Sequence, residues 1–159
     1  MNKQSLVFWL FTLFLSAFIL AAIFAAPLLR SSGLHSANFI YLAFSSVCHQ
    51  IPERSYHLAG NPLAVCSRCL GVYAGFFTGI LVYPLLPRQK VKWAEKRGYL
   101  IILTSIPLLI DAAGGILRLW ISPLPLRSIT GFVWAFSFPV YWFKALFELV
   151  MSRGKNERN

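Results

Sequence analysis

All three cysteines and two of the three histidines of this chain lie in one short segment, which makes it the strongest candidate for chemistry. Cys66 and Cys69 have the Cys-x-x-Cys spacing that lets two thiolates bind one zinc ion, and Cys48 would supply a third sulfur. His49 or His57 would supply the fourth ligand. Adjacent residues seldom direct both side chains at one ion, so His57 is the alternative to His49. The pattern predicts a zinc site.

The same cysteines also fit a second chemistry, thiol–disulfide exchange coupled to quinone. Cys66 and Cys69 are predicted to open a helix, where the helix dipole and Arg68 favour the reactive thiolate. Cys48 would then relay or resolve the disulfide. Membrane oxidoreductases of this kind generally need two cysteine pairs, whereas this chain has 3 cysteines. The odd count favours a metal.

An acidic residue and several arginines surround this segment in the predicted topology. Asp111 lies in the outer half of an apolar segment, where a carboxylate is costly and usually has a partner or a function. Arg118 and Arg127 are its candidate structural partners. Arg54, Arg68 and Arg127 predict binding of an anion, because guanidinium groups match phosphate and carboxylate geometry.

These residues leave the type of function open. One hypothesis is a metal-dependent hydrolase or transferase that acts on an anionic lipid or another phosphate-bearing substrate. A metal-bound water would be its nucleophile, and Asp111 or His49 its catalytic base. The other hypothesis is a non-enzymatic protein in which the metal only holds the outer loop against the helices.

The composition places these residues in a membrane protein. The chain is 57% hydrophobic and 13% charged, with a mean hydropathy of +0.63, whereas about a quarter of the residues of soluble domains are charged. With 159 residues it is expected to form one integral membrane domain. We predict an all-α polytopic helix bundle embedded among membrane lipids.

Four apolar segments approach or exceed the roughly 20 residues that a helix needs to cross a bilayer. They span residues 6–29, 65–86, 99–117 and 129–151. The first exceeds the apolar core of a signal peptide and has Pro27 where cleavage would occur, which favours a retained helix. Residues 37–47 are apolar but too short to span, so they predict an interfacial or re-entrant helix.

Basic residues set the predicted topology. Ten of the fifteen Lys/Arg residues fall on the side that contains both termini, the loop at residues 88–97 and the short basic tail at residues 152–159. The positive-inside rule makes that side cytoplasmic in a multi-pass protein of the cell membrane. The cysteine segment is then extracytoplasmic. The net charge of +10 is explained by topology, and nucleic acid is not an expected partner.

Glycine spacing in the second predicted span indicates close helix packing. Gly71, Gly75 and Gly79 recur every four residues and share one helix face. Small residues in this arrangement let two helix backbones approach each other in lipid.

The order of these motifs resembles a family called domain of unknown function 2085, which consists of small prokaryotic membrane proteins. The resemblance rests on Cys-His-Gln at residues 48–50, Arg-Ser at residues 54–55 and Cys-x-Arg-Cys-x-Gly-x-Tyr-x-Gly at residues 66–75. It extends to Asp111 and to Arg-x-x-Thr-Gly at residues 127–131, although Leu70 stands where a threonine is expected. The resemblance implies a membrane protein with a shared polar site. It implies no particular activity.

Overall fold

The protein is built almost entirely from helices, which confirms the all-α prediction. The computed structural model describes residues 3–117 and 119–156. The α-helices are α1 (Lys3–Ser31), α2 (Ser36–Ser45), α3 (Ser67–Val82), α4 (Arg88–Glu95), α5 (Tyr99–Ile116) and α6 (Leu124–Asn156). Two 3-10 turns, Pro52–Arg54 and Tyr83–Leu85, and two short strands, β1 (His57–Leu58) and β2 (Asn61–Pro62), complete the described elements.

Three helical segments among the described residues are long and apolar enough to cross a membrane. They are Ser5–Ser31, Ser67–Leu85 and Tyr99–Ile116, and they correspond to the first three predicted spans. Helix α6 has 33 residues and includes the fourth predicted span, but it is not among the three. Its sequence contains Lys144 and Glu148 between the apolar residues. The structure supports a multi-pass protein, and a fourth crossing by α6 stays a prediction.

The short helix predicted at residues 37–47 corresponds to α2, which packs against α1. A turn at Gly33, with a φ of 73°, separates the two helices. Helix α2 ends just before Cys48, whose backbone N–H still donates to the carbonyl of Phe44 at 2.9 Å. The end of α2 therefore determines where Cys48 lies. Its location at the membrane interface stays a prediction.

A two-residue hairpin leads from the cysteine-bearing loop towards α3. Leu58 pairs with Asn61, and the two residues between them, Ala59 and Gly60, have φ values of 50° and 77°. Positive φ at both loop positions is typical of a type I′ turn, which matches the twist of the flanking strands. The hairpin contacts α1, so it holds the chain that enters α3 against that helix.

Helices α3 and α6 form the most extensive helix–helix contact of the fold. The glycines Gly71, Gly75 and Gly79 lie against the backbone carbonyl oxygens of Ser128, Phe132 and Phe136 respectively. A Cβ atom at any of the three glycines would overlap α6. Gly131 of α6 lies equally close to the carbonyl of Arg68. The two backbones are in direct contact because both helices present glycine at the crossing.

Candidate metal centre and the adjoining polar cluster

The three cysteine sulfurs come together although Cys48 is distant in sequence from the other two. Their Sγ atoms all lie within 4.8 Å of one another, and the Sγ atoms of Cys66 and Cys69 are 3.5 Å apart. Around a tetrahedral zinc ion with Zn–S bonds of about 2.3 Å, the sulfurs lie ~3.8 Å apart. All three cysteines are free thiols. Their spacing fits three ligands of one ion.

Gln50 fixes the loop that connects Cys48 to the hairpin. Its side-chain amide donates to the carbonyls of Tyr41, at 2.7 Å, and Ala64, at 2.8 Å. These bonds link α2 to the segment before Cys66. The backbone of Gln50 has a φ of 49°, a left-handed conformation that is uncommon for a residue with a side chain. Sequence reasoning did not assign Gln50 a role, although its place beside Cys48-His49 was a signal.

The start of α3 positions the other two thiols. Cys66 is the residue that precedes the first turn of the helix, and its extended backbone turns its N–H towards Cys48. That N–H donates to the Sγ atom of Cys48 at 3.2 Å. Cys69 follows within the first helical turn, which brings its sulfur back towards that of Cys66. The helix start thus presents two sulfurs and orients the third.

The neighbouring thiols also change the acidity of Cys66, which lies just before the candidate span Ser67–Leu85. Hydrogen bonds from Cys48 and then from Cys69 stabilise its thiolate and hold the pKa of Cys66 well below its ordinary value. A thiolate is the form that binds metal or attacks a disulfide. The site can therefore offer a charged sulfur ligand at neutral pH.

Apolar side chains cover one side of the sulfur group, which consists of the Sγ atoms of Cys48, Cys66 and Cys69. Cys48 is 4% exposed and packs in a cluster with Ile23, Leu63 and Val65, which are also buried. Cys66 and Cys69 are half-buried. Cys48 is thus shielded from water, whereas Cys66 and Cys69 are partly accessible to a fourth ligand.

Neither predicted histidine ligand lies within the sulfur group. His49 and His57 are both exposed, and among the described residues the group close enough to share an ion consists of the three cysteines. His49 follows Cys48 directly, whereas His57 lies in β1. A histidine ligand would require a change in its side chain or loop, and water can otherwise occupy the fourth position.

Asp111 is paired with an arginine that the sequence interpretation had assigned to anion binding. Arg68 donates from Nε to Oδ2 of Asp111 at 2.9 Å, and its terminal NH2 group contacts the same oxygen. The hydroxyl of Ser122 donates to Oδ1. The interpretation had Asp111 pairing with Arg127 or Arg118. The observed partner is Arg68, and Arg118 lies outside the described residues.

Arg127 and Arg54 lie on the other side of Ser122, where they line a cavity of about 360 Å³. Arg127 is only 4% exposed, and its Nε donates to the carbonyl of Ser122 at 2.9 Å. The structure therefore gives the three arginines predicted to bind an anion different partners. Arg68 pairs with Asp111, whereas Arg54 and Arg127 share the cavity.

A hydrogen-bonded link that sequence reasoning missed connects the loop before α3 to the crossing of α3 and α6. The hydroxyl of Ser128 donates to the carbonyl of Ser67 at 3.0 Å and lies 3.1 Å from the hydroxyl of Tyr56. Ser128 falls within the Arg-x-x-Thr-Gly run, whereas Ser122 and Tyr56 belong to no motif that we recognised. Long-range contacts of single hydroxyl groups leave no pattern in a sequence.

The comparisons with known proteins agree with the membrane character of this chain. Residues 48–141 match the model of a family described as "Predicted membrane protein (DUF2085)". An uncharacterized protein of Methanocaldococcus jannaschii is 33% identical over 141 residues, which cover 84% of this chain and 89% of that protein. An uncharacterized protein of Methanothermobacter thermautotrophicus is 39% identical over 72 residues, 45% of this chain and 62% of that protein.

No solved structure shows significant similarity to the chain. The matched region begins at Cys48 and contains Cys66, Cys69, Asp111 and Arg127. The match covers more than half of the sequence, and the family that the order of motifs indicated is confirmed. The chain belongs to the membrane protein family called domain of unknown function 2085.

Proposed function

We propose that this membrane protein binds one zinc ion through Cys48, Cys66 and Cys69. The observation that supports this most strongly is the convergence of three free thiols within 4.8 Å. Thiolate ligands suit zinc because they are soft donors that accept its tetrahedral geometry. The N–H of Cys66, which donates to Cys48, would stabilise the charge of a metal-bound sulfur.

A structural role for the zinc ion is the one that the surrounding contacts support best. The three ligands come from the end of α2 and the start of α3, so one ion would join these elements. The enzyme hypothesis has a weaker basis because both carboxylate oxygens of Asp111 are engaged by Arg68 and Ser122. His49, exposed beside Cys48, remains the candidate base or fourth ligand for a catalytic site.

Thiol–disulfide exchange is the second candidate, and the 3.5 Å separation of the Cys66 and Cys69 sulfurs favours it. Oxidation would form one disulfide and release two protons and two electrons, which a membrane quinone would accept to become quinol. Cys48 would remain as a thiol that could attack the disulfide and resolve it.

Metal and thiol analysis of the purified protein distinguishes these functions. We expect near-stoichiometric zinc by mass spectrometry, with three thiols protected until a chelator removes the ion. A Cys48→Ser variant should lose the zinc, whereas a His35→Ala variant, altered in the turn before α2, should retain it. Absence of zinc together with a Cys66–Cys69 disulfide would contradict the metal proposal and support redox chemistry.

The proposed location on the extracytoplasmic side needs a separate measurement. It rests on the distribution of basic residues. After brief treatment with a chelator, a membrane-impermeant thiol reagent should label the cysteines of intact cells. Labelling only after cell lysis would place the site on the cytoplasmic side and would reverse the predicted orientation of both termini.

A further inference from the structure

The side chain of Arg127 is largely buried, and its terminal nitrogens, which are not sealed from solvent, have no protein partner among residues 3–117 and 119–156. Its one described side-chain hydrogen bond is from Nε to the carbonyl of Ser122. The side chain is 4% exposed. A charge removed from water is costly unless an opposite charge or several acceptors compensate it. Arg127 therefore provides unused hydrogen-bond donors at a place where an anion would be stabilised.

The nearest buried acid does not neutralise this charge. Asp111 is engaged by Arg68 and Ser122, so Arg68 and Arg127 share one buried carboxylate. Arg68 and Arg54 are close enough to Arg127 to repel its charge, whereas Asp111 and Cys66 attract it. With Asp111 held by other groups, the free donors of Arg127 favour binding of an anion beside it.

A cavity of about 360 Å³ adjoins Arg127. Arg54 and Arg127 line it together with Glu53, Ser122 and Trp120. Its volume is within the range of small-molecule sites, roughly 300–1,000 Å³. Glu53 is the one acidic side chain among the described lining residues, and the two arginines outnumber it.

Two glycines of α5 give the cavity its shape. A Cβ atom at Gly115 would lie 3.8 Å from a terminal nitrogen of Arg127, an ordinary contact distance, so the guanidinium group lies directly beside this glycine. A Cβ atom at Gly114 would overlap the indole ring of Trp120, which packs on the bare backbone. The pair leaves room for the arginine and lets Trp120 form a wall beside it.

We propose that this cavity binds a phosphate group through Arg54 and Arg127. Guanidinium groups bind phosphate oxygens through paired, charge-assisted hydrogen bonds. The phosphate could belong to a lipid headgroup or to a soluble molecule. Ile121, which lines the same cavity, is 94% exposed and provides an apolar rim. The proposal does not depend on the zinc site, because none of the cysteines lines this cavity.

Calorimetric titration of the full-length protein in a phosphate-free, non-ionic detergent tests this proposal. One arm uses inorganic phosphate, and the second uses dihexanoyl phosphatidic acid. The matched control ligand is dihexanoylglycerol, which has the same chains without the phosphate. We expect saturable binding in at least one phosphate-bearing arm and no binding of the control lipid.

Three variants locate the binding. Arg127→Gln should abolish it, and Arg54→Gln should weaken it about tenfold or more, as expected for the loss of a charged hydrogen-bond donor. Arg30→Gln removes an exposed arginine at the end of α1 and should change nothing. If Arg127→Gln does not remain monodisperse, the affinity of Arg54→Gln for the phosphate-bearing ligands tests the proposal. Arg54 lies in the 3-10 turn outside the helix crossings.

Each outcome of the titrations either supports or contradicts a phosphate site in this cavity. Tighter binding of phosphatidic acid identifies a lipid headgroup, whereas binding of phosphate alone identifies a soluble ligand. Absence of saturable binding in both phosphate arms, equal binding of dihexanoylglycerol, or equal affinity of Arg54→Gln and Arg30→Gln would overturn it. Zinc content, measured on every sample, should be the same in Arg54→Gln as in the unchanged protein, which separates this result from the zinc proposal.

Discussion

Arg68 and Asp111 join the start of α3 to the C-terminal half of α5 through an ion pair whose carboxylate is buried. The Nε atom of Arg68 lies 2.9 Å from Oδ2 of Asp111, and a terminal nitrogen donates to the backbone carbonyl of the same aspartate at 3.3 Å. Arg68 lies between Cys66 and Cys69 in the sequence. The contact therefore fixes the helix turn that carries two of the three thiols.

The Asp111→Asn substitution should destabilise the protein by about 3–5 kcal/mol, because it leaves Arg68 and the buried Arg127 without their counter-charge. The free energy of unfolding in detergent micelles is the measurement. Replacing both partners, by Arg68→Met with Asp111→Leu, should recover much of the loss, since no charge is then left unpaired.

The exposed pair between Lys144 and Glu148, with a distance of 3.9 Å, provides the control for this ion pair. Lys144→Gln should cost no more than about 0.5 kcal/mol, as is usual for a pair on a helix surface. If Asp111→Asn costs equally little, the buried ion pair does not hold α3 to α5.

The Gly71→Ala substitution should weaken the crossing of α3 and α6. The new methyl group would overlap the backbone of Ser128, and relief requires the helices to separate, at a cost of about 1–3 kcal/mol. Thermal unfolding in micelles measures the effect. Gly98→Ala is the matched control, because a Cβ atom at Gly98 meets nothing within 4 Å. A similar loss in both variants would argue against the backbone contact.

Cobalt substitution should reveal the ligands of the metal site. Cys48→Ser and Cys66→Ser should each lower the intensity of thiolate-to-cobalt charge transfer, because each removes one sulfur ligand. We expect His49→Ala and His57→Ala to keep that intensity, since neither histidine lies in the sulfur group. A shift of the visible cobalt bands in His49→Ala alone would identify His49 as the fourth ligand.

The reactivity of Cys66 in zinc-free protein should depend weakly on pH. Its pKa is lowered mainly by the hydrogen bond from Cys48, so the thiolate persists at a pH where an ordinary thiol, with a pKa of about 8.5, is protonated. Alkylation of Cys66, followed by mass spectrometry between pH 8 and pH 6, should slow little. In denaturant it should slow about tenfold per pH unit below the ordinary pKa.

The Cys48→Ala variant controls for this effect. Removing the hydrogen-bond donor should raise the pKa of Cys66 towards the ordinary value and restore the decline in alkylation rate at low pH. An identical pH profile in both proteins would show that Cys48 does not stabilise the thiolate.

Composition and apolar length were sufficient to predict an all-α membrane protein, because a bilayer imposes a minimum helix length and excludes exposed backbone polar groups. Three of the four predicted spans correspond to helices that are apolar enough to cross. The fourth lies in α6, where charged residues weaken the same signal. Motif order alone also identified the family, since these motifs lie close together in sequence.

Partners distant in sequence could not be predicted in the same way. Asp111 had two arginines, Arg118 and Arg127, as candidate partners, and helical periodicity shows which residues share a face but not which faces meet. The choice of Arg68, 43 residues away, follows from the packing of α3 and α5 against α6. Arg127, which does not hydrogen-bond that carboxylate, lines the cavity beside Arg54.

The sequence by itself determined the class of the protein, its family and the segment that carries its thiols, because these depend on composition and local spacing. The tertiary structure decided that Cys48 joins Cys66 and Cys69 while His49 and His57 stay exposed. It also decided which arginine pairs with Asp111. The physical reason is that these contacts depend on which helix faces meet, as at the backbone contact between Gly71 and Ser128, and local spacing does not encode that choice.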